Sequence, residues 1–203
     1  MLARLALIVP FCLAACGGSD DNPAIDAPAG GDGAGSDAPV DMPPTGFTLS
    51  SQMITNNGTF PAENTCSSAG NVSPQLSWVN APAGTMSFAV VLTDLDVGAG
   101  LLHWIIYDIP LATTSLGADV DKVFQPPDVA GASQTLSFDN QTRGYKGPCP
   151  PFPDTHHYQF DVYAVDQATL PNVQMNSTSS AVLVQIASHN KGHASLSATY
   201  KQP

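Results

Sequence analysis

The feature that most constrains the fold is the spacing of the apolar residues. From residue 47 onward they occur in short runs separated by glycine, proline, asparagine or aspartate. Residues 87–93 and 101–109 are nearly continuous apolar runs, which indicates buried strands. Residues 157–165 alternate between polar and apolar side chains, as expected for a half-buried strand. Further strands are predicted at residues 47–54, 75–78, 134–138 and 196–200.

One segment, residues 178–188, has the pattern of a helix. Its apolar residues fall on one face, and Ser177, Ser179 or Ser180 is in position to cap the first turn. Many short strands with a single late helix predict a mostly β fold, either a sandwich or a barrel. Residues 47–203 are long enough to form one domain with a substantial core.

The first residues predict secretion. A positive charge at Arg4 precedes an apolar run over residues 5–13. This run is too short for a membrane-spanning helix of roughly 20 residues, but it is typical of a signal peptide. It ends in Leu-Ala-Ala-Cys at Cys16, which resembles the bacterial lipobox. We therefore expect residues 1–16 to be a lipoprotein signal peptide and Cys16 to carry lipid, including palmitate. The alternative is an ordinary signal peptide in which Cys16 has no role.

A lipid on Cys16 would anchor the chain to a membrane of the cell envelope. The absence of aspartate directly after Cys16 favours the outer membrane, on either its periplasmic or its surface face. Residues 17–46 are rich in Asp, Gly, Ala and Pro, and six aspartates there meet no lysine or arginine. Such a segment buries too little apolar surface to offset the entropy of ordering, so it is predicted to be a disordered tether.

The charge balance excludes one class of partner. The formal net charge of the chain is −11, from 17 acidic and 6 basic residues. Without the six aspartates of residues 17–46 and without Arg4, 11 acids and 5 bases remain, a net charge of −6. Nucleic-acid binding depends on lysine and arginine contacts with phosphates. A domain this acidic, without a basic or aromatic-rich patch, is therefore not expected to bind nucleic acid.

The cysteines predict one disulfide. Cys12 lies in the signal peptide and Cys16 is the predicted lipid site, which leaves Cys66 and Cys149. In an oxidising compartment two such cysteines usually pair, so we expect a bond between them. The alternative is a pair of buried free thiols.

Two distant stretches carry the residues of a candidate ligand pocket. Asp94-Leu95-Asp96 precedes His103, and Gly-Pro-Cys-Pro-Pro at residues 147–151 precedes His-His-Tyr at residues 156–158. A carboxylate can hold an imidazole in place and raise its pKa, so that the imidazolium donates hydrogen bonds to a phosphate group. Prolines fix the neighbouring loop, and exposed backbone amides add donors. The predicted lining residues of this small-anion pocket are Asp94, Asp96, His103, Gly147, Pro150, Pro151, His156 and Tyr158.

Together with the Asn-x-Ser-Pro-x-Leu-x-Trp segment at residues 71–78, these stretches resemble the phosphatidylethanolamine-binding protein (PEBP) family. The resemblance is greatest to its bacterial branch, which is similar to the Raf kinase inhibitor protein, and it runs from residue 47 to residue 200. Asp94 and Asp96 match the aspartates of the family's Asp-Pro-Asp-Ala-Pro motif, and His103 matches its first pocket histidine. The resemblance implies a large antiparallel sheet packed on a smaller one, with one or two short helices and a ligand pocket at one end.

The second half of the family pattern is also present. Pro150-Pro151 matches the paired prolines, and His156 and Tyr158 match the ends of a His-Arg-Tyr segment. The chain departs from the pattern at three places. Leu95 replaces the inner proline, Val97-Gly98 replaces Ala-Pro, and His157 stands where the family usually has arginine.

The function implied by the resemblance is that of a membrane-tethered binding protein for a phospholipid head group or a phosphorylated metabolite. The sequence has no Gly-x-Ser-x-Gly elbow and no P-loop, so no catalytic residue, no cofactor and no enzymatic activity are expected. The alternative function is a protein-interaction module that inhibits a secreted protease or regulates an envelope partner.

Metal binding is a further alternative, because carboxylates and imidazoles also bind divalent cations. Its ligands would be Asp94, Asp96, His103 and His156. His189 and His193 are interpreted as structural or exposed residues.

Overall fold

The computed structural model of the chain describes residues 46–66 and 70–203. The predicted signal peptide, the lipid site at Cys16 and the tether, apart from Gly46, lie outside the described residues. These three features therefore remain predictions.

Among the described residues, nine strands form two sheets. The smaller sheet has the order β1 (Thr48–Ser50), β3 (Leu76–Val79), β6 (Ser115–Leu116). The larger sheet has the order β2 (Gly58–Thr59), β9 (Asn190–Lys201), β8 (Thr155–Val165), β4 (Ser87–Asp94), β5 (Leu101–Pro110), β7 (Ser133–Gln134). Neighbouring strands are antiparallel except for β2 and β9, which are parallel. The predicted mostly β fold, with a large sheet and a smaller one, is confirmed.

The central strands of the larger sheet are buried on both faces, which explains their continuous apolar sequences. Phe88 and Val90 of β4 belong to a core that includes Trp78 of the smaller sheet. The alternate residues Ala89 and Val91 point to the opposite face and join a second core formed with the helix. Full burial of a large apolar side chain contributes roughly 1.5–3 kcal/mol, so these two cores account for much of the stability.

The helix α1 (Ser179–Ser188) covers the outer face of the larger sheet, where its Val182 and Ile186 are buried. Its cap is Thr178, whose Oγ1 accepts a hydrogen bond from the amide of Ala181 at 3.2 Å. The prediction of a serine cap was therefore wrong. Two short 3-10 helices, Ala62–Asn64 and Pro127–Val129, lie between strands.

Three strands differ in length from the prediction. The first ends at Ser50 because the hydroxyl of Ser51 accepts the amides of Met53 and Ile54, which turns the chain. The strand predicted at 134–138 is limited to Ser133–Gln134, because the segment folds back and Leu136 pairs with Arg143 in an isolated bridge. The last strand begins at Asn190 rather than at residue 196. The prediction missed its first half because small residues there weaken the alternation of polar and apolar side chains.

Strand β5 contains two irregularities that place polar side chains. Leu92 pairs with Trp104 while Thr93 pairs with Leu102, so His103 is an extra residue in β5. Phe88 pairs with Ile109 while Val90 pairs with Ile106, so β5 has a second extra residue between these two pairs. Asp108 lies in this second bulge and has a φ of 56°. An extra residue of this kind turns its side chain away from the regular alternation of the sheet. His103 is directed in this way toward the start of β8.

Candidate functional site

The candidate site lies where β4 ends, β5 begins and β8 begins. Asp94, the last residue of β4, pairs with Tyr158 of β8 in the sheet register. The other neighbour of β4 is β5, whose bulge carries His103. The ring of Tyr158 contacts the rings of both His103 and His156, with centroids 5.4 and 6.3 Å apart. The sheet thus brings together four of the residues predicted from two distant stretches.

A buried ion-pair partner orients His156. Its Nδ1 donates to Oδ2 of Asp94 at 2.7 Å, and the side chains are 12% and 3% exposed. The other oxygen of Asp94 accepts the amide of Asp96 at 3.0 Å. Because Nδ1 is fixed in this way, Nε2 is the nitrogen of His156 that is left to bind a ligand.

His103 is oriented by the backbone. Its Nδ1 donates to the carbonyl of Lys146 at 2.9 Å, and its Nε2 is buried without a hydrogen-bond partner among the described residues. Burial lowers the pKa of His103, although the Lys146 carbonyl and the Asp94 carboxylate oppose the shift. The expectation that a carboxylate keeps the pocket histidines in the imidazolium form fails for His103, because burial outweighs the opposing effect of the Asp94 carboxylate on its pKa. His103 is neutral near pH 7, and its Nε2 is an acceptor.

Tyr158 supplies the complementary donor. The residue is fully buried, and its hydroxyl has no hydrogen-bond partner in acceptable geometry within the described part of the chain. Burial raises its pKa strongly, and the negative charge of Asp94 adds to the shift. The hydroxyl therefore keeps its proton. An acceptor on His103 and a donor on Tyr158 belong to neighbouring rings, and neither atom makes a hydrogen bond of acceptable geometry among the described residues, although the Asp94 carboxylate lies near the Tyr158 hydroxyl.

The loop with the predicted rim residues packs against the segment around Cys66. A Cβ on Gly147 would lie 2.5 Å from the carbonyl oxygen of Asn64, so only glycine fits this contact. The sulfurs of Cys66 and Cys149 are 2.06 Å apart and form a disulfide in the structure. The amide of Gly147 donates to Oδ1 of Asn71 at 2.6 Å. The expectation that exposed backbone amides of the pocket loops add donors therefore fails for the amide of Gly147.

The remaining predicted residues lie at the edge. Pro150 is buried in the loop, whereas Pro151 is exposed. Asp96 does not join the group of four residues, because its carboxylate accepts hydrogen bonds from the amide and from Nδ1 of His157. The amide hydrogen bond is the main cause that lowers the pKa of Asp96. Asp96 thus attaches the β4–β5 loop to the start of β8.

Sequence reasoning missed the residues that cover His103. The ring of Phe138 lies 4.6 Å from the ring of His103, and Nζ of Lys146 lies 5.1 Å from the Phe138 ring centroid. The same ammonium group pairs with Asp139. Burial raises the pKa of Asp139, but hydrogen bonds from Lys146 and from backbone amides outweigh it and hold the pKa well below its usual range. The only sequence signal was an aromatic residue next to an aspartate.

No group of three or more histidine, cysteine, aspartate or glutamate side chains in residues 46–66 and 70–203 is placed to hold a metal ion. In that same part of the chain, no helix has the length and apolar character needed to cross a membrane. Nδ1 of His189 pairs with the carboxylate of Asp166 at 2.9 Å. The ring of His193 in β9 lies against the ring of Tyr163 in β8.

Comparison with known proteins identifies the class of protein to which this fold and site belong. The family model for phosphatidylethanolamine-binding protein matches residues 50–201. A UPF0098 protein of Methanothermobacter thermautotrophicus is 33% identical over 157 residues, which cover 77% of this chain and 99% of the relative. The chain therefore belongs to the phosphatidylethanolamine-binding protein family.

Solved structures agree with this assignment. The crystal structure of Escherichia coli YbcL, described as a new member of the mammalian PEBP family, has a TM-score of 0.70 and 31% identity to this chain. The match covers 77% of this chain and 99% of YbcL. A PEBP homologue from Chlamydia trachomatis has a TM-score of 0.66 and 26% identity, over 79% of this chain and all of the homologue. The predicted family and its two-sheet fold are confirmed.

Proposed function

We propose that this protein is a membrane-tethered, non-enzymatic binding protein for a small phosphate-bearing ligand, either a phospholipid head group or a phosphorylated metabolite. One observation carries the proposal. The Nε2 of His103 and the hydroxyl of Tyr158 are buried at the same site, and each lacks a hydrogen-bond partner among the described residues. An unpaired buried polar group costs about 1–3 kcal/mol, so a ligand that pairs with both recovers this free energy.

The chemistry of the two atoms suits an anionic phosphate group with a neighbouring donor. The Tyr158 hydroxyl donates to a phosphoryl oxygen, and the neutral His103 accepts a hydrogen from the P–OH group of a phosphate monoester or from the ammonium group of an ethanolamine head group, whose phosphodiester has no P–OH. The His156 ring adds a second donor at Nε2 when it is protonated, because Asp94 holds its Nδ1. The carboxylate of Asp94 disfavours a dianion in the same pocket. The expected ligand is therefore a phosphate ester in its monoanionic form.

Access to this pocket requires movement of a side chain. The Nε2 of His103 and the Tyr158 hydroxyl have almost no solvent-accessible surface in the structure. Phe138 lies on His103 and is itself 37% exposed, so its rotation opens a path to His103 without disrupting either core. Ligand association is accordingly expected to be slower than in an open pocket.

The proposed tether supports the choice of ligand. A lipid on Cys16 and the predicted acidic tether of residues 17–46 would hold the domain close to, but not within, an outer-membrane leaflet. Phospholipid head groups are then available at high local concentration. The proposal places the domain in the cell envelope, on either the periplasmic or the surface side.

Isothermal titration with O-phosphorylethanolamine tests the pocket. Tyr158→Phe removes only a hydroxyl without a partner, so it is expected to weaken binding about tenfold or more while stability is retained or increased. His103→Ala is expected to abolish detectable binding. His189→Ala is the control, because it also removes a partly buried histidine whose Nδ1 is hydrogen-bonded, but one that lies beyond the other end of β8. Wild-type affinity in both pocket variants would refute the proposal.

A second function is favoured by exposed apolar side chains on the loops that carry the site. Leu95 and Val97 follow Asp94, and Phe152 follows the paired prolines; they are 49%, 37% and 70% exposed. Such side chains are typical of a protein interface, here with a secreted protease or an envelope partner. Affinity capture from envelope extracts distinguishes the two functions. A partner that is retained by Tyr158→Phe and lost with Phe152→Ser supports the interface.

A further inference from the structure

A cavity lies beside the candidate site but is formed by different residues. It has a volume of about 230 Å³ and lies between the first residues of β5, the segment around Ser137 and Asn140, and the start of α1. Among its described lining residues are Leu102 and Phe138, and none of Asp94, His103, His156 or Tyr158. Phe138 therefore separates two adjacent sites.

The start of α1 opens into this cavity. Thr178, Ser179 and Ser180 all line it. The Thr178 side chain satisfies the amide of Ala181, whereas the amides of Ser179 and Ser180 have no hydrogen-bond acceptor among the described residues. The N-terminus of a helix carries the equivalent of about half a positive charge, and unpaired amides there are donors for an anion.

The sequence leaves this positive end without compensation. The first turn of α1 contains no acidic residue, although the domain as a whole carries 11 acids against 5 bases. Aspartate or glutamate is commonly found at such positions because it stabilises the helix dipole. Asp139, which lies in sequence between the lining residues Phe138 and Asn140, pairs with Lys146 and with the amides of its own loop. The cavity is therefore free of carboxylates among its described lining residues.

A buried hydroxyl provides an independent indication of a ligand. Ser137 lines the same cavity and is only 3% exposed, and its Oγ has no hydrogen-bond partner among the described residues. Most buried hydroxyls in folded proteins are paired, because an unpaired one loses its hydration without compensation. The neighbouring Ser179 shows the usual arrangement, since its hydroxyl donates to the carbonyl of Leu136. Its Oγ has almost no accessible surface, so pairing with an occupant of the cavity requires the Ser137 side chain to rotate toward it.

We propose that this cavity is a second binding site, for a phosphate or carboxylate group of a small molecule. The amides of Ser179 and Ser180 and the hydroxyl of Ser137 donate to its oxygens, and the side-chain amide of Asn140 lies at its edge. The site uses none of the residues of the His103–Tyr158 pocket and does not rest on its proposed function, although Phe138 is a wall common to both.

The test is an NMR titration of the ¹⁵N-labelled full chain at constant ionic strength. Sodium phosphate and sodium acetate are added in separate arms, and the amide resonances of Ser179 and Ser180 are followed. Saturable shifts of these two amides in either arm support the site, and the arm that produces them identifies the chemistry. Ser137→Ala is expected to weaken that binding about tenfold, the effect of one hydrogen bond to a charged group.

A charged variant keeps the test valid if Ser137→Ala does not fold. Ser180→Asp places a carboxylate at the second helical position, where it stabilises the helix and occupies the site, so external anions should no longer shift the Ser179 amide. Ser188→Asp, at the other end of α1, is the matched control and should keep the shifts. The proposal is overturned if neither anion gives saturable shifts, or if Ser180→Asp binds both as the unmodified chain does.

Discussion

Asp108 should lower the stability of the domain at neutral pH. It lies at the second bulge of β5, with a φ of 56° and its carboxylate 2.8 Å from the amide of Leu170. Burial raises its pKa from 3.8 to about 6, although the Leu170 amide opposes the shift. Replacement by asparagine retains an oxygen for this amide and suits a positive φ, so Asp108→Asn removes the charge with little other change.

The sign and size of the effect follow from the shift. A carboxyl group whose pKa is higher in the folded state than in the unfolded state costs stability when it is ionised. This cost is complete above the folded pKa of about 6 and disappears below the unfolded value of 3.8. A shift of about two units corresponds to roughly 3 kcal/mol. Because Asp108 is only partly buried, screening by solvent reduces the expected gain for Asp108→Asn to about 1 kcal/mol at pH 7.

Urea unfolding, followed by tryptophan fluorescence, measures this gain at pH 7 and at pH 4. Both tryptophans, Trp78 and Trp104, are buried and report the loss of the core. The expected result is a stabilisation of about 1 kcal/mol at pH 7 that falls toward zero at pH 4. Asp119→Asn is the control, because Asp119 also has a positive φ of 61° but is exposed. An equal gain in unfolding free energy at both pH values would show that the gain does not come from removing the charge of Asp108. A loss of unfolding free energy at pH 7 would show that the ionised carboxylate does not destabilise the fold.

Three further predictions concern the rim and the tether. Loss of the disulfide in Cys66→Ser/Cys149→Ser should lower the unfolding free energy by about 4.5 kcal/mol in the chain-entropy model for a separation of 83 residues; an unchanged urea midpoint would contradict it. Gly147→Ala should cost about 1–3 kcal/mol, because the added Cβ meets the Asn64 carbonyl, and thermal unfolding measures the change; an unchanged melting temperature would contradict the close contact. Cys16→Ser should move the protein from the membrane fraction to the soluble fraction, and persistence in membranes would contradict lipid anchoring.

Much of the fold was predictable because local patterns reported it. The apolar runs of β4 and β5 and the alternation of β8 are direct consequences of which faces are buried. The start of β9 was not predictable, because Gly192, Ala194 and Ser195 are too small to produce a hydrophobic pattern. The cap of α1 was ambiguous for a similar reason, since four consecutive residues, 177–180, all carry hydroxyl groups.

The site was predictable in composition but not in pairing. The motifs gave Asp94, His103, His156 and Tyr158, yet Asp94 orients His156 rather than His103. The register of β4 and β8 decides this pairing, and a register between distant strands leaves no local signal. The neutral state of His103 depends on burial and on a carbonyl 43 residues away in the chain, and neither can be seen in its neighbours.

The most direct test of the pocket observes its histidine nitrogens during binding. Two-bond ¹H–¹⁵N spectra of the five histidine rings are recorded as O-phosphorylethanolamine is added. The account predicts that His103 begins as a neutral ring protonated at Nδ1, and that the Nε2 signals of His103 and His156 shift while those of His189 do not. Unchanged His103 and His156 signals at saturating ligand, or a His103 ring that is already cationic near pH 7 without ligand, would contradict it.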